Sequence, residues 1–491
     1  MALTKKQLTH LLMIVFCQLL LIPFATVAQD AVVVEEARED ERPSCRVCGM
    51  WIDQYERTAG TVIYQDGSKE FTCGVACALR EVDEVGGPGE LEAFLVRDWN
   101  TGEDIDGVTA HYVIGSDLIP DMMPNYIAFE TRREAEAFAA EHGGEVITFQ
   151  TAMEDLSPRG NTVPFRIRTA VTPPQGVIGT APIYGYLRRD RVKVGSNISQ
   201  SGTNFIRSNP AQPAAPESIQ VNKAGWVLNY SLTDRLAVFL NIPWFDKRLE
   251  RQVRDFRTGT IRMDVRHSSG IGDIPIEFRY NLWRNDFADK FFTILLGTSL
   301  PTGYFDNRRV FNPIAGREII DAPPSMHIGK GTATFKGGLL YSERWKDFWM
   351  HLNAIYQVNP ENSDDYAFGD QLLGGIALHY TPNYDLLVGI EADAAYAQKN
   401  EDRGIPVDNT GGVRSNVAFV LDWRFLNAFG GNFKLRSSVG LPVYEDLNFN
   451  PVRGPRGPFT QAQLGGGFFA NLAISFSIRP GPAGLQEIHD H

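Results

Sequence analysis

The chain has 491 residues, 43% hydrophobic and 11% aromatic, with a formal net charge of −12. This composition can fill the cores of two or three domains and excludes a largely disordered chain. The acidic balance argues against a nucleic-acid-binding protein, for which a basic surface is expected.

The first 28 residues have the pattern of a secretory signal peptide. Lys5 and Lys6 precede an apolar run over 11–24. That run is shorter than the ~20 residues that a membrane-spanning helix needs. Small residues then lead to a cleavage position after Ala28. We therefore expect residues 1–28 to be removed on export.

The exported chain then keeps four cysteines, because Cys17 is lost with the signal peptide. An acidic lead-in over 29–42 is followed by two close pairs, Cys45 and Cys48 in CRVCGM and Cys73 and Cys77 in FTCGVAC. Two disulfides are one interpretation, since exported proteins meet oxidising conditions. A four-thiolate metal site is another, because a C-x2-C turn and two cysteines one helical turn apart can surround one ion.

Three methionines add thioether sulfur close to these pairs. Met50 follows Cys48, and Met122 and Met123 stand in LIPDMMPNY. Thiolates combined with thioethers favour Cu(I) over hard cations, whereas four thiolates would also suit Zn(II). The candidate metal ligands are Cys45, Cys48, Met50, Cys73, Cys77, Met122 and Met123. His111 is expected to be an ordinary strand residue.

The pattern over residues 43–153 predicts a small α+β domain. Asp66-Gly67 predicts a hairpin turn between two alternating segments. Thr131 and Glu134 form a capping box for a helix that ends at Gly143.

Four blocks of residues 43–150 resemble the NosL family of copper-binding accessory proteins of nitrous oxide reductase assembly. They are CRVCGMWIDQY, VIYQDGSKEF, HYVIGSDLIP and FETRREAEAFAAEHGGEVITF. The resemblance implies a periplasmic Cu(I) carrier whose partners are a copper enzyme or a copper chaperone. It places the family's C-G-M motif on Cys48, Gly49 and Met50, and its later methionine on Met122 or Met123.

The chain departs from that family in two respects. No lipobox precedes a cysteine, although family members are usually lipoproteins. The second pair, Cys73 and Cys77, is more similar to the F-C-x3-C of small treble-clef metal-binding domains, which suits Zn(II).

A linker over 154–182 is expected to lead into an all-β antiparallel transmembrane barrel of about 12 strands over 183–479. Apolar and polar residues alternate with period two, as in Leu386, Val388 and Ile390 against Gly389 and Glu391. Short turns alternate with long connections, as in outer-membrane barrels. The predicted long connections are 197–216, 246–270, 301–330, 358–370, 397–413 and 444–463.

This pattern resembles outer-membrane barrels of transporter or porin-like type, so outer-membrane lipid is an expected partner. An even strand number places both barrel ends, the front domain and a tail over 480–491 in the periplasm of a Gram-negative cell. The alternative is a soluble β-sandwich or lipocalin-like barrel. The predicted interfacial aromatics are Trp244, Trp283, Trp345, Trp349 and Trp423. The predicted lumen-facing polar residues, expected to form an ion-pair network, are Glu277, Arg279, His351, His379, Glu391, Asp393, Asp422 and Arg424.

Three functions are compatible with these features. The first is Cu(I) handling by a periplasmic domain tethered to an outer-membrane barrel, in metal trafficking or copper-enzyme maturation. The second is a channel with a structural zinc domain. A thiol–disulfide oxidoreductase is disfavoured, because C-R-V-C does not open a helix in a βαβ unit, and we expect no enzymatic activity.

Overall fold

The structure, a computed structural model, describes residues 43–156, 163–285, 287–312 and 317–479. The expected signal peptide, acidic lead-in and C-terminal tail lie outside these residues. The front domain begins at Pro43. Its strands are β1 (Gly60–Tyr64), β2 (Lys69–Thr72), β3 (Leu91–Arg97), β4 (Asp104–Asp106), β5 (His111–Ile114), β6 (Tyr126–Phe129) and β7 (Glu145–Thr148). They form two small antiparallel sheets, in the orders β2-β1-β3-β4 and β6-β5-β7. Its helices are α1 (Val75–Glu84), α2 (Arg132–His142) and α3 (Phe149–Asp155), with single 3-10 turns at Ile52–Gln54 and Pro88–Glu90.

Helix α1 holds the two sheets of the front domain together. Its apolar face, including Val75 and Leu79, packs with Val62 of β1 and Tyr112 of β5 in one buried core. The predicted hairpin joins β1 to β2. Thr131 caps α2, since its Oγ1 accepts from the Glu134 backbone N–H and donates to the Glu134 carboxylate at 2.6 Å. Among the described residues, no helix is long and apolar enough to cross a membrane.

Twelve antiparallel strands form a closed barrel in the rear of the chain. The first strand pairs with both the second and the last, which closes the sheet. Ile261–Ile271 and Ile274–Arg284 continue one another along the same partner strand and count as one interrupted strand. The strands are Ile178–Arg189, Ala214–Ser231, Leu236–Arg254, Ile261–Ile271 with Ile274–Arg284, Lys290–Leu300, Thr334–Trp345, Phe348–Val358, Gln371–Tyr380, Leu386–Ala397, Gly412–Ala428, Gly431–Leu447 and Phe468–Ile478.

The long connections carry their own short elements. They contain helix α4 (Gly202–Ser208) and a 3-10 turn at Pro324–Met326. Their short strands are Arg191–Val194, Ile198–Gln200, Arg309–Asn312, Arg317–Ile320, Tyr366–Ala367, Asn400–Asp402, Ile405–Val407, Asn450–Gly454, Gly457–Gln461 and Gln463–Gly465.

The outer face of the barrel is apolar and exposed. Leu378, Ile390, Phe419 and Val439 lie side by side on four adjacent strands. Each is between 52% and 59% exposed, whereas Glu391, the next residue after Ile390, is fully buried in the interior. A closed sheet with apolar side chains facing outward is compatible with a lipid bilayer, because there every backbone N–H and C=O group must be hydrogen-bonded within the protein. The soluble sandwich alternative is therefore wrong, and the protein is an outer-membrane barrel.

The front domain lies at the end of the barrel that carries the short turns. The first barrel strand begins at that end, where Ile178 pairs with Tyr230, and the last strand finishes there, where Ile478 pairs with Gly431. In outer-membrane barrels the short turns are periplasmic. The front domain is therefore in the periplasm, as predicted.

Several boundaries differ from those predicted. The expected loop over 246–270 is mostly strand, because Leu236–Arg254 and Ile261–Ile271 extend the sheet with polar residues on both faces. These strand segments lack the alternation of apolar and polar residues that is typical of the membrane-spanning part of a barrel. Trp349 is not at an interface but is buried in the lumen against Phe291. The other four predicted tryptophans are exposed on the outer face.

The largest correction concerns the expected linker over 154–182. Its part over 163–177, here called the plug, lies inside the barrel, and the first barrel strand already begins at Ile178. Ala170 and Val171 of the plug pack with the lumen residues Phe291 and Leu340. The plug packs directly against the barrel wall at Gly375. A Cβ atom at this position would stand 2.4 Å from Ile167 Cγ2, so only glycine leaves room for the plug.

Buried carboxylates of the barrel wall hold the plug by its backbone and its arginines. The backbone N–H groups of Phe165 and Arg166 donate to the two oxygens of Glu391, each at 2.7 Å. Arg168 forms a two-pronged ion pair with Glu277, at 2.8 and 2.9 Å. Glu277 also pairs with Arg279 and Lys336. The predicted ion-pair network in the lumen is thus confirmed, and its main partner is a segment that the sequence suggested was a linker.

Candidate metal centre

The four cysteines lie together in the front domain. Their Sγ atoms are all within 4.8 Å of one another, and all four residues are buried. Cys48 and Cys73 Sγ are 3.3 Å apart, and Cys73 and Cys77 Sγ are 3.9 Å apart. Disulfide bonds require about 2.05 Å, so these are free thiols.

The cluster has the dimensions of a tetrahedral sulfur site. Metal–sulfur bonds of about 2.3 Å in a tetrahedron place the sulfurs roughly 3.8 Å apart. The distances within the cluster bracket this value. The donor set is entirely sulfur, which selects soft ions such as Cu(I) and also accepts Zn(II).

The first pair stands on a tight turn that glycine makes possible. The Cys45 N–H donates to the Met50 carbonyl at 2.8 Å, and the Gly49 N–H donates to the Cys45 carbonyl at 2.7 Å. Gly49 has φ of +82°, a left-handed conformation in which a side chain would be strained. The turn therefore directs Cys45 and Cys48 toward the same point.

The second pair is arranged differently from the prediction. Helix α1 begins at Val75 with Gly74 as its N-cap, so only Cys77 is helical and Cys73 precedes the helix. The Cys77 N–H donates to the Gly74 carbonyl at 3.1 Å. The two sulfurs still converge, because the chain enters α1 through extended backbone at Gly74.

The structure separates the two adjacent methionines. Met122 Sδ is 3.8 Å from Cys77 Sγ and accepts from Arg80 Nη1 at 3.5 Å. Met123 instead packs in the apolar cluster of the barrel lumen that includes Phe291, and its Sδ is 2.9 Å from Arg284 Nη1. Met50 is buried in the same apolar cluster as the cysteines. His111 lies on β5, as predicted.

The surroundings shift the pKa values of Cys45 and Cys73 in opposite directions. Burial would raise the pKa of Cys45, but hydrogen bonds from Cys48, Cys73 and Cys77 outweigh it and lower that pKa. Burial raises the pKa of Cys73, and hydrogen bonding with the other thiols adds to this. Within the cluster a thiolate is therefore favoured on Cys45 over one on Cys73. A bound cation would favour the ionised form of Cys73.

Barrel residues hold the backbone of the first cysteine turn, a feature that the sequence did not reveal. Arg424 donates to the Val47 carbonyl, Asn427 to the Arg46 carbonyl at 2.6 Å and Asn432 to the Cys48 carbonyl at 3.5 Å. Arg424, predicted to face the lumen, thus lies at the periplasmic rim. No spacing signal could indicate these contacts, since more than 370 residues separate the partners.

The loop that carries Met122 is held in the same way, by the residue that follows the last barrel strand. Arg479 donates to the carbonyls of Ile119 and Asp121, and its own carbonyl accepts from Tyr55 Oη at 2.9 Å. Asp121 is buried beside Gly74, and burial raises the pKa of its carboxyl to about 7. The Cys45–Cys48 turn and the loop that carries Met122 are therefore both fixed to the barrel.

Replacing Arg424 by glutamine is expected to lower metal affinity by about 10- to 100-fold, the range for lost contacts behind metal ligands. The shorter side chain would release the Val47 carbonyl between the two cysteines. Competition with a Cu(I) chelator on the full chain measures the effect. Lys290→Gln is the matched control, because Lys290 pairs with Glu343 on the neighbouring barrel strand. Equal affinities in the two variants would show that the rim does not shape the site.

A groove of about 440 Å³ lies beside the cluster, between the front domain and the barrel turns. Val47, Arg80, Tyr384 and Arg424 contribute to its lining. Arg80 and Arg424 both stack on the Tyr384 ring, at 4.7 and 3.5 Å. Because Val47 stands between Cys45 and Cys48, the groove reaches the edge of the ligand turn.

The fold and the site define an outer-membrane barrel with a periplasmic four-thiol domain seated on its short-turn rim. Residues 37–157 match the NosL family model, and residues 218–457 match the model described as putative MetA-pathway of phenol degradation. These matches confirm the predicted resemblance of the front domain to the NosL family.

Individual relatives divide along the same boundary. The front of the chain is 29% identical over 114 residues to the copper-binding lipoprotein NosL of Stutzerimonas stutzeri, covering 22% of this chain and 60% of that protein. An outer membrane channel of Pseudomonas putida F1 covers 65% of this chain and 100% of its own, with 12% identity and a TM-score of 0.42. The copper chaperone NosL of Shewanella denitrificans covers 25% of this chain and 96% of its own, with 20% identity and a TM-score of 0.20.

Proposed function

We propose that this protein binds Cu(I) through its four cysteines and Met122, and exchanges it with a partner at the periplasmic rim of an outer-membrane barrel. The role would be metal trafficking or copper-enzyme maturation, with a copper enzyme or copper chaperone as partner. No catalytic step is required, since thiolates and thioethers can pass a soft ion by ligand exchange.

The observation that carries this proposal is the convergence of four buried thiols within 4.8 Å with a thioether 3.8 Å from one of them. Neither disulfides nor hard cations account for that donor set. The sequence similarity to a copper-binding lipoprotein supports copper in particular. The groove next to Val47 supports exchange, because a partner could approach the ligand turn there.

A structural Zn(II) site is the second candidate. Four cysteines at tetrahedral spacing are the usual ligands of structural zinc sites. In such sites the protein fills all four coordination positions of the metal, so none is left for another ligand. In that case the metal would stabilise the front domain, and Met122 would only be a packing neighbour of Cys77.

Two single substitutions of the full chain, purified without oxygen, separate these candidates. Met122→Leu is expected to weaken Cu(I) binding by about 10- to 100-fold in chelator competition, since a soft contact is lost. Met123→Leu is the matched control, because the same change is made one residue further on, where Sδ faces Arg284. Wild-type protein should hold one Cu(I) per chain. Zn(II) retained against excess Cu(I), with both variants unchanged, would favour the structural zinc site.

A further inference from the structure

A second binding site can be inferred in the lumen of the barrel, independent of the metal centre. A cavity of about 660 Å³ lies between the plug and the barrel wall and extends to the rim residues Thr381, Tyr384 and Asp385. Its volume is typical of small-molecule sites. Neither the metal proposal nor the ion-pair network of the plug accounts for this space.

Bases outnumber acids among the residues that line this cavity. Six lining residues are basic and three are acidic. Each acid is already bonded to a base: Glu277 to Arg168, Arg279 and Lys336, Asp422 to Arg436, and Asp385 to Arg424. The acidic residues therefore leave positive charge in the cavity uncompensated.

Two lysines carry this excess charge. Lys223 projects from the second barrel strand and Lys434 from the eleventh, and both line the cavity. Within the described parts of the chain, neither ammonium group has a hydrogen bond or an ion pair. Arg436 stands two residues from Lys434 and lines the same cavity. In a lumen of low dielectric, such cations favour an anionic ligand.

The remaining wall is apolar and partly aromatic. Phe165 of the plug, and Ile183 and Phe239 of the barrel, line the same space. Phe239 lies under the Arg279 guanidinium at 3.8 Å, and Phe165 lies under that of Arg436 at 5.3 Å. An apolar wall with a few charged groups fixes the orientation of an amphipathic ligand.

We propose that the lumen binds a small aromatic carboxylate. Its carboxylate group would pair with Lys223 or Lys434, and its ring would lie against Phe165, Ile183 and Phe239. Because Phe165 and Arg168 belong to the plug, the ligand would contact the plug and the wall together. The site therefore lies between the plug and the wall and extends to the periplasmic rim at Thr381 and Tyr384.

Benzoate and benzamide are matched probes for this site, since they differ mainly in charge. With the full chain in detergent micelles, isothermal titration should show saturable benzoate binding at least tenfold tighter than benzamide binding. The double variant K223M/K434M, which keeps most of each lysine stem, should lose that preference. Lys290→Met, at the rim and outside the cavity, should keep it.

Two results would overturn this assignment. One is equal binding of benzoate and benzamide to the wild-type chain, which would indicate an apolar cavity without charge selection. The other is undiminished benzoate binding by a double variant whose heat-modifiable migration in gels shows a folded barrel. Cu(I) affinity measured on the same samples distinguishes failure here from failure of the metal proposal, because neither lysine touches the cysteine cluster.

Discussion

Replacing Cys48 and Cys73 together by serine is expected to abolish stable Cu(I) binding by the full chain. These two sulfurs are 3.3 Å apart, and serine hydroxyls are hard donors that a soft ion avoids. Loss of contacts behind a ligand already costs about 10- to 100-fold in affinity, so loss of two ligands should exceed a hundredfold. Chelator competition on protein purified without oxygen measures this.

A matched control separates loss of the ligands from damage to the core. Ala76→Ser places a hydroxyl in the first turn of α1, at a buried position between Cys73 and Cys77, and leaves all four sulfurs in place. This variant should lose stability but retain Cu(I). If it loses Cu(I) as completely as the double serine variant, packing of α1 rather than thiolate ligation would be the determinant.

Replacing Glu277 and Glu391 together by glutamine is expected to free the plug from the lumen. Both are buried, and between them they bind Arg168 and the backbone N–H groups of Phe165 and Arg166. Breaking a buried ion pair costs about 3–5 kcal/mol. Even 3 kcal/mol would raise the population of a plug-released state by more than about a hundredfold. Single-channel conductance in planar bilayers should therefore rise sharply.

The control for that experiment is an acid of similar chemistry that does not touch the plug. Glu318 is exposed in an outer connection, with a distant partner in Arg403 at 3.9 Å. Glu318→Gln should leave the conductance unchanged. Wild-type conductance in the double variant would mean that apolar packing of Ala170 and Val171 alone retains the plug.

The local pattern of the sequence was enough to predict the barrel and the residues that make up the cysteine cluster. Alternation is a property of neighbouring residues, so Ile390 outward and Glu391 inward could be predicted without knowing any partner strand. The cysteine turn could be predicted for the same reason, because Gly49 and the spacing of Cys45 and Cys48 act within six residues.

Features that depend on distant partners could not be predicted in this way. The plug contains Pro164, Pro173 and Pro174 and stands between the front domain and the barrel pattern, so it looked like a linker. Its place is set by Glu277 and Glu391, more than 100 and 220 residues away. Likewise, the choice between Met122 and Met123 depends on how their loop is held by Arg284 and Arg479 at the barrel rim.

The central claim is that one soft ion is bound by sulfur alone at the rim of the barrel. X-ray absorption at the copper edge of the full chain, loaded with one equivalent of Cu(I) under anaerobic conditions, tests it most directly. We predict a first shell of three or four sulfurs at about 2.3 Å, the metal–thiolate distance that the cluster fits. A first shell dominated by nitrogen or oxygen would contradict the account.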